Sequence, residues 1–107
     1  MAQIYTVQLG FGNYPTGQFV VFASETEGHE IVVTDATITV GGPTPAAAHI
    51  FIRDPGRGDA YLMLEKDVSG TKHWQGRAAL QLGQAVWGYS DQPGWTIIIT
   101  GYDFVVS

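Results

Sequence analysis

The sequence predicts an all-β protein: an antiparallel two-sheet sandwich, wound as a jelly roll of about eight strands. Three observations predict it. Short segments of alternating apolar and polar residues recur along the whole chain, which is the period of a half-buried strand. The gaps between them are rich in Gly, Pro, Asn and Asp, the residues of tight turns. No segment keeps the 3.6-residue period of an amphipathic helix. Eight antiparallel strands suit two sheets of four, the arrangement of a jelly roll. An immunoglobulin-like sandwich without its disulfide is the alternative. The 107 residues suit one β-sandwich domain spanning 1–107, and 45% hydrophobic residues supply its core.

The elements follow in order. Gln3 to Leu9 alternates, with Tyr5, Val7 and Leu9 on one face. Gly10 to Gly17 reads as a loop, whose Phe11 and Tyr14 are expected to cover an end of the core. Gln18 to Ala23 is almost wholly apolar and reads as a strand buried on both faces. Ser24 to Gly28 is an acidic turn. Ile31 to Val40 is the longest alternation, with Val32, Thr34, Ala36, Ile38 and Val40 facing one way and Val33, Asp35, Thr37 and Thr39 the other. Gly41 to Ala47 is a connection long enough to cross between sheets, and Ala46 to Ala48 is the one place for a single helical turn. His49 to Asp54 is a strand with Ile50 and Ile52 inward, Pro55 to Gly58 a tight turn, and Ala60 to Lys66 the returning strand. That strand sets Leu62 and Leu64 on one face, Tyr61 and Met63 on the other.

The stretch from His73 to Tyr102 holds all three tryptophans and reads as three successive strands. The last two are joined by a hairpin turn at Asp91 to Gly94, where Pro93 presets its φ and Gly94 permits a positive one. Trp95 shares parity with Ile97 and Ile99 and is expected in the core. By the same rule Trp74, Ala78 and Leu80 form a core face, and so do Ala85, Trp87 and Tyr89. The strand runs on past Gly101, where a bulge or bend is natural, to Val106.

Composition narrows the function. No cysteine is present, which excludes disulfide staples, thiolate chemistry and cysteine-bound zinc. A net charge of −5 repels phosphate and argues against nucleic acid as a partner. No apolar run reaches membrane-spanning length, so no membrane insertion is expected. The first residues lack a basic region followed by an apolar one, so a secretory signal is not expected. Charged residues are only 14%, against roughly 25% in an average domain. A surface so poor in charge fits a protein packed against partners.

No motif carries chemistry. His29, His49 and His73 are scattered, and His29, Glu30 and Asp35 are solvated residues rather than a cation site. Arg57-Gly58-Asp59 spells an integrin-binding tripeptide, but Gly-Asp is also ordinary turn chemistry. Asp54 and Asp59 flank a turn that also holds Arg53 and Arg57, and local ion pairing accounts for them. No Ser/His/Asp order and no phosphate loop occurs, so no cofactor, metal or catalytic residue is expected. The residues able to stack on a sugar or an interface are Tyr61, Trp74, Trp87, Tyr89, Trp95 and Tyr102.

The pattern Trp74-x-Gly76-Arg77-x-x-Leu80-x-x-Gly83, an aromatic turn, then Gly94-Trp95-x-x-x-x-Thr100-Gly101-Tyr102 resembles a group of small phage virion proteins. Ala79 stands where that group usually has Val, and Thr100 where it has Ser. The likeness covers about a third of the chain. It implies a β-sandwich, a structural role and an assembled state, and no catalytic residues. Beside it stands a purely physical reading. Gly76 and Gly83 permit turns or close approach. Arg77 is expected to bridge a carboxylate or carbonyl at the strand end, and Tyr102 to tie its hydroxyl to nearby backbone.

The expectation is therefore a non-enzymatic virion structural protein, a tail or capsid-decorating module on the particle exterior, made in the host cytoplasm. Its partners would be other virion proteins and further copies of itself, as a homo-oligomer or multicopy display. Ile98 and Tyr102, and Tyr61 and Met63, are apolar groups expected to need another surface. The alternative is a carbohydrate-binding module that recognises a host-surface glycan through exposed aromatics. A cupin-type enzyme comes third, and it would need an inward cluster of His and Glu that the sequence does not provide.

Overall fold

The computed structural model describes residues 7–24, 27–42 and 44–105. The expected strand from Gln3 therefore lies outside the described residues up to Thr6. Eight strands run in order: β1 (Val7–Tyr14), β2 (Gly17–Ala23), β3 (His29–Val40), β4 (Ala46–Asp54), β5 (Gly58–Val68), β6 (Gly70–Leu80), β7 (Ala85–Ser90) and β8 (Trp95–Val105). They form two antiparallel sheets of four, in the orders β1-β8-β3-β6 and β2-β7-β4-β5.

Pairing follows a simple rule. β4 pairs with β5, β3 with β6, β2 with β7 and β1 with β8. The chain is thus one long antiparallel ribbon, turned back at Pro55–Arg57 and wound so that its successive strand pairs fall alternately in the two sheets. That winding is the jelly roll. Among the described strands, only β4 and β5 form a hairpin, and the other successive strands lie in opposite sheets. The expected hairpin between the last two strands is corrected accordingly. β7 lies in one sheet and β8 in the other, and the Asp91–Gly94 turn spans the edge of the sandwich. Gly94 takes the expected positive φ of 75° there, and its N–H donates to the Tyr14 carbonyl at 2.9 Å. Turn chemistry reverses the chain but does not state which sheet receives it.

The core lies between the sheets. Trp95, Ile97 and Ile99 of β8 meet Ala36, Ile38 and Val40 of β3 and Ala48, Ile50 and Ile52 of β4 within one buried cluster. Trp95 is 0% exposed, and its indole N–H donates to the Pro15 carbonyl at 2.8 Å. Trp74, Ala78 and Leu80 face this core as their parity requires.

Several local expectations are overturned. β1 continues through Tyr14, so most of the expected loop is strand. Tyr14 does cover the core, stacked on Phe19 at 4.9 Å, but Phe11 stands 58% exposed. β2 is not buried on both faces, because Val20 is 47% exposed on an edge strand. Ala46 to Ala48 is strand, held in β4 by pairing with β5. On β3 a bulge at Thr34 shifts the register, so Ile31 and Val33 face the core before it and Ala36, Ile38 and Val40 after it. Gly101 sits opposite this bulge, where a Cβ would overlap the Val32 carbonyl. On β5 a bulge at Leu62 sends Met63 into the core while Tyr61 stays outside, against the expectation that they share a face.

Candidate functional site

The outer face of the β2-β7-β4-β5 sheet is built from side chains aligned across four strands. One cross-strand row is Val20, Trp87, Phe51 and Tyr61. The next is Gln18, Tyr89, His49 and Leu64. The Leu62 bulge places Tyr61 and Leu64, three residues apart, on the same face. Cross-strand neighbours at sheet spacing touch, so His49, Phe51, Tyr61, Trp87 and Tyr89 form one cluster of aromatic side chains on this face.

Trp87 and Tyr89 thus face outward, which corrects their assignment to a core face with Ala85. Val86, Gly88 and Ser90 face inward instead. The cause is Trp95. Its indole fills the space beneath β7, and a Cβ on residue 88 would lie 2.8 Å from the ring. The strand must present its small residues inward, so its large ones go out.

One cation covers part of this cluster. The Arg53 guanidinium lies 4.4 Å from the Trp87 ring centroid and 5.1 Å from that of Phe51, a cation–π arrangement. Asp59 grips it through both oxygens, at 2.8 and 3.1 Å, and the Gln18 side-chain carbonyl accepts from it at 2.9 Å. The hydrogen bonds from Arg53 hold the Asp59 carboxyl below the usual carboxylate range. Under this cover Phe51 is only 2% exposed although it lies on the outer face. The expected local ion pairing is present for Arg53 with Asp59, whereas Asp54 accepts from the Gly56 N–H and from Gln84 and makes no ion pair with Arg57 among the described residues. The Arg53 pair also takes Asp59 out of a free Arg-Gly-Asp display, since its carboxylate points back to Arg53.

His49 sits between two tyrosines, 4.9 Å from the Tyr89 ring and edge-on to Tyr61 at 5.8 Å. Burial pushes its pKa down from the ordinary imidazole value, with the nearby Asp91 charge opposing. Two shallow depressions meet at His49 and Tyr89. One, of about 300 Å³, is completed by Gln18, Phe51 and Tyr61. The other, of about 360 Å³, extends toward Lys66, Asp67 and Asp91.

The opposite outer face, on β1-β8-β3-β6, has different chemistry. Thr37 and the exposed Ile98 lie in one row with Phe11 and His73, and Thr39, Thr71 and Thr96 in the next. His73 bonds Thr37 at 2.8 Å and Asp35 at 3.2 Å, and Thr39 bonds Thr71 at 2.9 Å. At the end of this sheet, His29 and Asp103 lie on the core-facing parity of Ile31 rather than on the outer face, and their side chains are 2.7 Å apart. Among the described residues, no group of three His, Cys, Asp or Glu converges to hold a metal ion.

The six aromatics singled out by sequence therefore separate. Tyr61, Trp87 and Tyr89 come together on one face. Trp95 is core, Trp74 is half-buried with its ring laid over Gly76, and Tyr102 is half-buried on the threonine-rich face. Among the described residues, neither Arg77 nor the Tyr102 hydroxyl has a hydrogen-bond partner, so the expected tethers are not made there. The sequence reading did not place Gln18, His49, Phe51 or Arg53 at this site, although it expected Arg53 in a local ion pair. For the three on β4 the signal was present: Ile50 and Ile52 read as inward, which by alternation turns His49, Phe51 and Arg53 outward. No protein-family model matches the chain, and no curated protein matches its sequence.

Proposed function

We propose that this chain is a non-enzymatic structural module of a phage virion, carried in multiple copies on the exterior of the tail or capsid. The jelly roll recurs in viral capsid and lectin domains, but a fold alone does not fix a function. The observation that carries the reading is the distribution of charge. The first 24 residues hold no Asp, Glu, Lys or Arg, so all 15 charged residues follow them. Those 24 residues include β1 and β2, which are edge strands of the two sheets and lie on the same flank of the sandwich.

Edge strands invite pairing with another chain, and charged side chains are a usual guard against it. The other flank is guarded in this way: β5 carries Asp59, Glu65, Lys66 and Asp67, and β6 carries Lys72 and Arg77. The β1–β2 flank carries none and exposes Phe11 and Val20. Copies that each bear a net charge of −5 repel one another least where their facing surfaces are uncharged. This flank is thus the place for contact between copies or with a neighbouring virion protein.

Sedimentation velocity tests the reading. The expected result is that wild-type chain self-associates with rising concentration, and that Phe11→Lys with Val20→Lys returns it to monomer with an unchanged circular dichroism spectrum. A wild type that stays monomeric at every concentration, and does not co-sediment with particles, would end the case for it. A second reading, a glycan-binding module, is favoured by the aromatic face centred on His49.

A further inference from the structure

We propose that the outer face of the β2-β7-β4-β5 sheet is a groove for a neutral oligosaccharide of at least two sugar units, with His49 and Tyr89 at the junction of two subsites. The proposal rests on the glycan-binding reading and assigns its site and ligand class.

Sugars offer two kinds of surface: apolar C–H faces that pack on aromatic rings, and hydroxyls that must keep their hydrogen bonds when they leave water. The groove supplies both. Tyr61 is 48% exposed and stands at right angles to His49, while Tyr89 lies tilted on its other side. Among the described residues, the Tyr61 and Tyr89 hydroxyls and the His49 ring nitrogens have no hydrogen-bond partner, although all three side chains line the first depression. An imidazole whose pKa burial has lowered stays neutral at pH 7, and so offers one donor and one acceptor. A purely apolar protein surface would leave these groups unpaired, at a cost that sugar hydroxyls remove.

Charge sets the ligand class. Arg53 is neutralised by Asp59, and Lys66 stands beside Asp67 at the far end. Asp91 then leaves the groove slightly negative, within a chain of net charge −5. Phosphates, sulfates and uronic acids gain nothing here. Size sets the length. The first depression crosses from β7 to β5, two strand spacings or about 10 Å. The second continues along β4 from His49 to Ala46, so a chain of sugars can run from one into the other. The Arg53 stack holds Trp87 and Phe51 in place before any ligand arrives, which lowers the ordering cost of binding.

The test is a glycan array of neutral and acidic oligosaccharides, followed by calorimetric titration of each neutral array hit and of cellotriose, chitotriose, mannotriose and sialyllactose. Tyr61→Ala, Tyr89→Ala and His49→Ala are compared with wild type and with Thr39→Ala on the opposite face. At least one neutral oligosaccharide binds, more tightly than its constituent monosaccharide. Each tyrosine truncation weakens it by about three- to tenfold, while Thr39→Ala leaves it unchanged. Tyr61 and Tyr89 lie outside the core cluster, and circular dichroism confirms that the variants fold. Glycan binding that all three variants retain would overturn the site and leave the glycan-binding reading standing. Binding of acidic glycans alone would overturn the ligand class. An array on which nothing binds would overturn both. Capture of a defined virion protein that the tyrosine variants lose, with no glycan bound, would make the face a protein interface and refute the proposal.

Discussion

Replacing Gly88 by Ala should destabilise the protein, although Ala normally stabilises a strand position occupied by Gly. The ordinary gain is about 0.5–1 kcal/mol from reduced backbone entropy. At Gly88 the new methyl would sit 2.8 Å from two atoms of the Trp95 ring and 3.3 Å from the Ile97 Cδ1. Carbon atoms pack best at roughly 3.5–4.0 Å, so the ring must retreat by most of an ångström. It has nowhere to go. Its N–H is tied to the Pro15 carbonyl, Tyr14 lies against it at 4.9 Å, and it is wholly buried. Overpacking of such a core costs about 1–3 kcal/mol. The net effect is a loss of about 0–2.5 kcal/mol, centred near 1. With a urea slope of about 1.5 kcal/mol per molar, the unfolding midpoint falls by about 0.7 M. In a Trp95→Phe background the smaller ring relieves the clash, and the two substitutions couple by about 0.5–3 kcal/mol. A Gly88→Ala midpoint at or above wild type, at unchanged slope, would refute the claim that Trp95 dictates which residues of β7 face inward.

Other expectations follow from the same packing. Trp95→Ala removes a fully buried indole and its hydrogen bond, and should cost about 3–5 kcal/mol in urea unfolding; a near-normal melting temperature would place the ring at the surface. The Asp54 carboxyl is held below the usual range by the Gly56 N–H and then by Gln84, and Asp59 by Arg53. Their folded pKa values lie below the unfolded one, so the stability they contribute is complete above about pH 4 and is lost as pH falls through the folded values. Thermal melts from pH 6 to pH 2.5 should drop in that acid window, and less steeply in Asp54→Asn with Asp59→Asn; an equally steep drop in the double variant counts against this origin. The far-UV spectrum should be that of a β protein, and a helical double minimum would contradict the fold.

Strand count and most turns were legible in the sequence because alternation and Gly/Pro chemistry are local. Sheet membership was not. The Asp91–Gly94 turn has hairpin residues, yet it carries the chain across the sandwich, a choice made by the pairing of β8 with β1 and β3. The bulges at Thr34 and Leu62 have no sequence signature, and each one inverts the parity that follows it. Trp87 and Tyr89 illustrate the limit. Alternation established that they share a face, but which face was decided by the volume of Trp95, a residue of the other sheet. Tyr61 was legible as outward because Leu62 carried the opposite parity. Arg53 was legible as an ion-pair partner, whereas its seat over Trp87 depends on β7 lying beside β4.

Quantitative mass spectrometry of gradient-purified phage particles, from the culture that encodes this chain, tests the virion assignment most directly. The predicted result is that the chain bands with the particles in many copies each, and is digested by protease added to intact particles, as an exterior module would be. Its absence from the particle band, with the chain recovered only as free soluble protein, would contradict the assignment.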